Sequence, residues 1–299
     1  MKPAEKRIVY GITAILSVMF FAAGSFWDAP IAQTIYRPQQ PAALVFTVLG
    51  YVLFFGAFQF LTGALCRQLM HLAQTRLKRI LSAVLCGYTG LSTAVLGGMG
   101  LVSDSVLGLQ FPDTDFSFLH CMLIGLAVFF PPVLLGMLLN GKQADKTAVR
   151  SLLILLVLMA VTFFGHSLFT GLYCRPRYRI TQLGLDGLPF LPWYAPLQNP
   201  GALTETYHLK SDALRSFFSG HALDAMLNLA VFPAFSLVLP QLRGKERLLQ
   251  YIALVLAVPI ILSRMVLGAH YLSDVSAGAL CGLGFVLLYE KLTAEKNAG

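Results

Sequence analysis

Residues 263–274 read SRMVLGAHYLSD and join two apolar runs, about 248–267 and 270–290. Each run is near the ~20 residues that a helix needs to cross the hydrocarbon core of a bilayer. An arginine, a histidine and an aspartate at such a junction are costly to place beside hydrocarbon, and ionisable residues in this setting usually serve a function. The segment therefore predicts a pair of membrane helices with a functional site between them.

Three side chains of this segment form a predicted catalytic group. His270 and Asp274 are four residues apart, so on a helix they share a face and the carboxylate can accept the far imidazole N–H. This contact would fix the tautomer and leave the other ring nitrogen available as a nucleophile. Gly268-Ala269 offers a turn through which the preceding helix brings Arg264 to the same place, where its guanidinium would bind an anion.

Composition places the whole chain among polytopic helical membrane proteins. Hydrophobic residues make up 57% of the 299 residues and charged residues 12%, and the mean hydropathy is +0.70. We expect an all-α transmembrane helical bundle and no large soluble domain. About eight spans are predicted, at 8–26, 42–65, 80–102, 116–139, 151–174, 219–241, 248–267 and 270–290.

The distribution of charge indicates how the spans are oriented. If they alternate in direction, most of the 22 Lys and Arg residues fall in loops on one side, which predicts that this side and both termini are cytoplasmic. A loop on the other side, 103–115, carries Asp104, Asp113 and Asp115 and no basic residue. Because the basic residues lie in short clusters between spans, we expect no nucleic-acid partner despite a pI near 9.3.

The cysteines indicate neither a metal nor a disulfide framework. The five cysteines are scattered, and four of them lie inside apolar runs without the paired spacing of a zinc site. We therefore expect a site without a metal and a protein without a cofactor. The sequence does not indicate an oligomeric state.

Two more polar patches fall at the ends of predicted spans on the same membrane face. The fifth span ends at Arg175-Pro176, and the sixth begins at Ser219-Gly220-His221. Ser219 can cap the sixth helix, the amide of Gly220 can bind an anion, and His221 can donate a proton. A phosphoryl group fits this set, because its transfer needs charge neutralisation, an in-line nucleophile and a protonated leaving group. Each patch alone is also typical of interfacial cations and helix caps, but three patches on one face favour a site.

The three patches resemble the motifs of the type 2 phosphatidic acid phosphatase superfamily: Arg175-Pro176, Ser219-Gly220-His221 and Ser263-Arg264-x5-His270-x3-Asp274. The resemblance covers about 165–290. It implies that His270 forms a phosphohistidine, that Asp274 orients it and that His221 protonates the leaving oxygen. It also implies a set of phosphate-binding residues that works without a metal: Arg175, Ser219, Gly220 and Arg264.

The chain departs from these motifs at two positions. The family's first motif has a lysine seven residues before its arginine, where this chain has Leu168, and the second begins with proline, where this chain has Phe218. Arg177 is the first candidate to supply the missing phosphate contact, and Arg179, Lys210 and Arg215 are further ones.

The sequence thus predicts N-terminal spans at 1–150 and a phosphatase-like core at 151–299 with an extracytoplasmic loop at 175–217. The expected function is hydrolysis of a lipid phosphate or diphosphate ester at the extracytoplasmic face of a plasma or inner membrane. A lipid phosphotransferase, a sugar-phosphate phosphatase and a weakened lipid-binding or transport relative are the alternatives, the last because of Leu168. The stretch LPFLPWY at 188–194 fits either an aromatic interfacial belt or a lid over the site.

Overall fold

The computed structural model describes residues 3–103, 106–109, 116–139, 145–195 and 197–294, and in these residues the chain is an all-α bundle, as predicted. The helices are α1 Pro3–Ile35, α2 Pro41–Leu72, α3 Arg76–Leu101, α4 Phe118–Leu139, α5 Lys146–Tyr173, α6 Tyr178–Thr181, α7 Pro200–Thr206, α8 Gly220–Ala234, α9 Glu246–Val266 and α10 Leu272–Ala294. Some charged residues used to predict the orientation lie outside the described residues. They are Lys2, Lys142 and Lys296 on the predicted cytoplasmic side and Asp104, Asp113 and Asp115 in the loop 103–115.

Seven helices in the described part of the chain are long and apolar enough to cross a membrane, namely α1 to α5, α9 and α10. The remaining predicted span, 219–241, is shorter than expected, because α8 has 15 residues and is followed by a 3-10 turn at Phe235–Leu237. Pro233 removes a backbone donor near the end of α8, and the carbonyl of Leu229 accepts from Nε2 of Gln250 at 3.5 Å instead. An eighth crossing with both termini on one side stays a prediction.

Helix α1 continues past its predicted end at residue 26 and includes Asp28 and Pro30. The helix bends at Trp27, whose φ and ψ are −126° and 16°. Pro30 explains this bend, because it cannot donate to the carbonyl four residues earlier and its ring crowds that carbonyl. The helix accommodates a carboxylate at position 28 because Asp28 forms a buried ion pair with Arg175 at 3.0 Å.

The chain divides into two compact units. The first contains Met1–Gly50, Val161–Leu227 and Leu254–Phe285, and every predicted site residue belongs to it. The second contains Tyr51–Ala160, Asn228–Ala253 and Val286–Gly299. In this second unit, α3 and α4 approach so closely that a methyl group at Gly98 would collide with the carbonyl of Cys121.

The predicted orientation is tested by two matched cysteine substitutions in a background that lacks the native cysteines. Gln182 lies in the loop predicted to be extracytoplasmic, Gln241 lies at the predicted cytoplasmic end of the span 219–241, and both are exposed. In intact cells, Gln182→Cys should react with a membrane-impermeant thiol reagent, and Gln241→Cys should react only after permeabilisation. The opposite pattern would contradict the orientation that the charges predict.

Candidate active site

His270 lies in a short turn between α9 and α10. Gly268 has a φ of +63°, a conformation that favours glycine, and the amides of Ala269 and His270 both donate to the carbonyl of Arg264, at 2.9 and 3.1 Å. The turn predicted at Gly268-Ala269 is therefore present. It also corrects the expectation that His270 and Asp274 share a helical face, because His270 precedes the first residue of α10, Leu272.

A backbone carbonyl orients the imidazole of His270. Its Nδ1 lies 2.6 Å from the carbonyl oxygen of Ser216, whereas Oδ2 of Asp274 lies 3.8 Å away. A carbonyl can only accept, so Nδ1 carries the proton and Nε2 has the lone pair. Asp274 was expected as this direct partner. Ser216 was missed because a backbone acceptor has no side-chain signature in a sequence.

Asp274 positions the imidazole of His270 through neighbouring residues. Its Oδ2 accepts from the hydroxyl of Ser216 at 2.5 Å and from the amide of Tyr271 at 2.8 Å. Since Tyr271 directly precedes α10, this carboxylate also caps the helix N-terminus. Asp274 therefore fixes both the residue whose carbonyl orients His270 and the residue that follows His270.

Arg177 lies on the other side of the imidazole. Its Nη1 is 3.4 Å from Nε2 of His270 and 3.2 Å from the carbonyl of Ala269. Its Nε donates to the carbonyl of Asp212 and its Nη2 to the Asp212 carboxylate, both at 2.7 Å. Asp212, which the sequence did not single out, thus holds this guanidinium with one nitrogen directed at His270.

The surroundings of His270 keep its imidazole neutral. Burial, together with the positive charges of Arg177 and Arg264, lowers the pKa of His270 to about 3, against the opposing effect of Asp274. Because the usual histidine pKa is ~6.5, the ring is unprotonated at neutral pH. Its Nε2 lone pair is therefore available for attack.

Arg264 and His221 belong to the same group of side chains. Arg264 is fully buried, and its Nη1 donates to Oγ1 of Thr47 on α2 at 3.3 Å. His221 lies near enough to His270, Arg264 and Arg177 for their charges to act on it. The structure thus brings together four residues that the sequence singled out, and it adds Thr47.

The N-terminus of α8 has the predicted cap. The hydroxyl of Ser219 accepts from the amide of Ala222 at 3.4 Å, and the amide of Ser219 donates to the carbonyl of Asp274 at 3.0 Å. Ser219 is fully buried, so its contacts are with the protein itself. A methyl group at Gly220 would lie 2.7 Å from Cε1 of His166, which explains the glycine by the close approach of α5.

Arg175 is fully buried, and each nitrogen of its guanidinium has an acceptor in the protein. Nε donates to the carbonyl of Leu191 at 2.9 Å and Nη2 to Asp28 at 3.0 Å. Nη1 donates to Ser273 at 3.0 Å and to Asp274 at 2.5 Å. These contacts use four of the five N–H donors of Arg175, and the expectation that Arg175 binds the substrate phosphate stays a prediction.

The aromatic stretch at 188–194 packs over Arg175. The ring of Phe190 lies 5.3 Å from that of Tyr271, whose centroid is 4.1 Å from the Arg175 guanidinium carbon. Trp193 donates from Nε1 to the hydroxyl of Ser25 on α1 at 2.8 Å. The stretch is therefore anchored to the site and to α1, an arrangement closer to a cover than to a separate belt.

A family model described as the PAP2 superfamily matches residues 151–297, almost half of the 299-residue chain. This segment thus matches the PAP2 superfamily. The match confirms the resemblance found in the motifs, and the superfamily implies phosphatase-type activity on phosphate esters. No curated protein and no solved structure matches the chain. Asp28 and Thr47 lie outside the PAP2 segment, although they contact its buried arginines.

Arg175 and Arg177 should differ in how much each contributes to the stability of the fold. Arg175→Met leaves the buried carboxylates of Asp28 and Asp274 without their counter-ion, and removing one partner of a buried pair costs about 3–5 kcal/mol. Arg177→Met should cost clearly less, because the side chain of its partner Asp212 is 22% exposed and can be hydrated. Thermal unfolding of both variants in detergent measures the difference. Equal losses of thermal stability, or a larger loss for Arg177→Met, would contradict the conclusion that Arg175 stabilises the fold as the counter-ion of two buried carboxylates.

Proposed function

We propose that this protein hydrolyses a phosphate or diphosphate ester of a lipid through a phosphohistidine on His270. The observation that carries the proposal is the orientation of one imidazole: its Nδ1 lies 2.6 Å from a carbonyl oxygen and its Nε2 lies 3.4 Å from an arginine nitrogen. Such a ring is a neutral nucleophile directed at a cation, which is the arrangement needed to attack an anionic phosphoryl group. The match of residues 151–297 to the PAP2 superfamily supports the reaction class.

In the first step, Nε2 of His270 attacks phosphorus, a P–N bond forms and the P–O bond to the leaving group breaks. The leaving oxygen takes a proton from His221, which enters this step as the imidazolium, a form that the negative charge of the bound phosphate would favour. The imidazole becomes positively charged as the P–N bond forms. Its N–H then donates more strongly to the carbonyl of Ser216, and Asp274, 3.8 Å from Nδ1, stabilises the charge.

In the second step, water attacks phosphorus and the P–N bond breaks. His221, now neutral, takes a proton from the attacking water, and His270 recovers its lone pair. Inorganic phosphate leaves, and both histidines return to their starting states. In a phosphotransferase the same step would use a lipid hydroxyl in place of water.

For the phosphate ligands we propose Arg177, Arg264 and the amide of Gly220. Arg177 replaces Arg175 in this role because its Nη1 is directed at His270. If Arg177 takes the place of the arginine in the first motif, the position seven residues earlier is Thr170. Thr170 is 1% exposed, whereas Leu168, which the other register aligns with the family lysine, is 66% exposed and points away from the buried site.

We also propose that the substrate is a lipid and that the site opens on the extracytoplasmic side. The catalytic turn connects two helices that are each long and apolar enough to span a membrane, so the reacting atoms lie near the end of a span. A phosphate carried on a lipid reaches such a position from the bilayer itself. The distribution of basic loops supports the extracytoplasmic side.

His270→Ala should abolish the release of inorganic phosphate from a panel of lipid phosphates and diphosphates, because it removes the nucleophile. His71→Ala is the matched control, since His71 is exposed on α2 and should keep wild-type turnover. Phosphate release and folded yield are measured together for both variants. Undiminished turnover in His270→Ala would contradict the mechanism. For the wild-type protein, activity only with an added lipid acceptor would indicate a transferase, and no activity would indicate a binding protein.

Vanadate should inhibit turnover, because it adopts the five-coordinate geometry of phosphoryl transfer and can bond to Nε2. EDTA should leave turnover unchanged, since the proposed charge neutralisation comes from arginines and a helix N-terminus. Initial rates with each compound, on the same lipid phosphate, measure both effects. Loss of activity with EDTA and recovery with a divalent cation would refute the metal-independent mechanism.

A further inference from the structure

Asp28 connects helix α1 to the candidate active site, although it lies far outside the PAP2 segment in sequence. Its carboxylate is 2% exposed, and Oδ2 accepts from Nη2 of Arg175 at 3.0 Å. Oδ1 accepts from the amide of Ser273 at 2.9 Å, and Oδ2 also accepts from the Ser273 hydroxyl. Three donors on two other segments therefore surround Asp28, namely one nitrogen of Arg175 and the amide and hydroxyl of Ser273.

The surrounding backbone is built to bring α1 to this position. A methyl group at Gly24, one turn before Asp28, would lie 2.5 Å from the amide nitrogen of Ser273. Only glycine permits such an approach between α1 and the first turn of α10. Asp28 and Asp274 then both accept from backbone amides at the N-terminus of α10, those of Ser273 and Tyr271.

The charges of this cluster do not balance. Arg175 contributes one positive charge, and Asp28 and Asp274 each contribute a negative charge when ionised. With Asp28 present, one guanidinium is shared between two carboxylates, and the cluster keeps a net negative charge beside His270. Without Asp28, Arg175 would neutralise Asp274 alone, and that negative charge would be lost.

We propose that Asp28 is a positioning residue of the reaction, which shares the charge of Arg175 so that Asp274 remains effectively negative beside His270. The inference rests on the proposed function, because the negative charge matters when the imidazole becomes positive on phosphorylation. Asp28 acts through Arg175, Ser273 and Asp274 and does not touch the reacting atoms. The N-terminal helix is then part of the catalytic apparatus, and the PAP2 segment alone is electrostatically incomplete.

The test compares Asp28→Asn with wild-type enzyme on the lipid phosphate that the panel identifies, with rates expressed per folded molecule. Asparagine keeps the size and the acceptor oxygen and removes the charge. We expect kcat to fall by about 10-fold, the lower end of the range typical of groups that orient a reacting residue, because Asp28 acts on His270 only through Arg175 and Asp274. KM should stay within about 3-fold, because the substrate contacts are unchanged.

Two further comparisons separate a charge effect from a packing effect. Asp28→Glu and Asp28→Gln have the same length, so Glu should recover more kcat than Gln if charge decides the rate. Ser25→Ala removes the Trp193 contact from the same helix without changing a charge, and it should keep kcat within about 2-fold. Should Asp28→Asn not fold, the Glu and Gln pair and Ser273→Ala, which removes a contact that Asp28 and Arg175 share, decide the question.

The outcomes are distinct. A lower kcat with unchanged KM and recovery by Glu supports the proposal. Lower folded yield with wild-type kcat per folded molecule, or equal kcat for Glu and Gln, would overturn it and leave Asp28 as a structural contact. An active His270→Ala variant, or a wild type without phosphatase activity, would overturn the proposed function and this inference with it.

Discussion

The buried guanidinium of Arg175 is the constraint on which the rest of the site depends. A fully buried cation is tolerated only when it is paired and hydrogen-bonded, and Arg175 meets this requirement with acceptors on α1, on the aromatic stretch at 188–194 and on α10. These contacts fix three segments that are distant in sequence against one point. Asp274, one of the two carboxylates, then holds Ser216 and Tyr271, and these two residues determine where the ring of His270 lies.

Two arginines that are two residues apart have different surroundings. Arg175 faces two carboxylates and is fully buried, whereas Arg177 faces Nε2 of His270 and is held by the partly exposed Asp212. Both guanidinium groups are hydrogen-bonded within the protein, but it is Arg177 that has a contact to Nε2 of His270. This contact is long, at 3.4 Å, and a phosphate oxygen could replace it with a shorter one.

The sequence predicts the helical architecture well because apolar length is a local property. The sequence also singles out His270, His221, Arg264 and Asp274, since ionisable groups at the ends of apolar runs stand out, and the structure brings His270 and Asp274 to within 3.8 Å. The sequence does not single out Ser216, because that residue acts through its backbone carbonyl. It does not single out Asp28 either, because the first predicted span ends at residue 26. Whether Arg175 or Arg177 is the better candidate to bind phosphate depends on which of them is paired with Asp28. The Arg175–Asp28 contact joins residues 147 positions apart, and no local sequence pattern predicts it.

The central claim is that Nε2 of His270, and not Nδ1, attacks phosphorus. Phosphohistidine survives alkaline denaturation, so the enzyme can be quenched in base during turnover and the phosphorylated peptide identified by mass spectrometry and phosphorus NMR. The account predicts one phosphate on His270, attached at Nε2, because Nδ1 is turned toward the carbonyl of Ser216. Phosphate attached at Nδ1, or on any other residue, would contradict it.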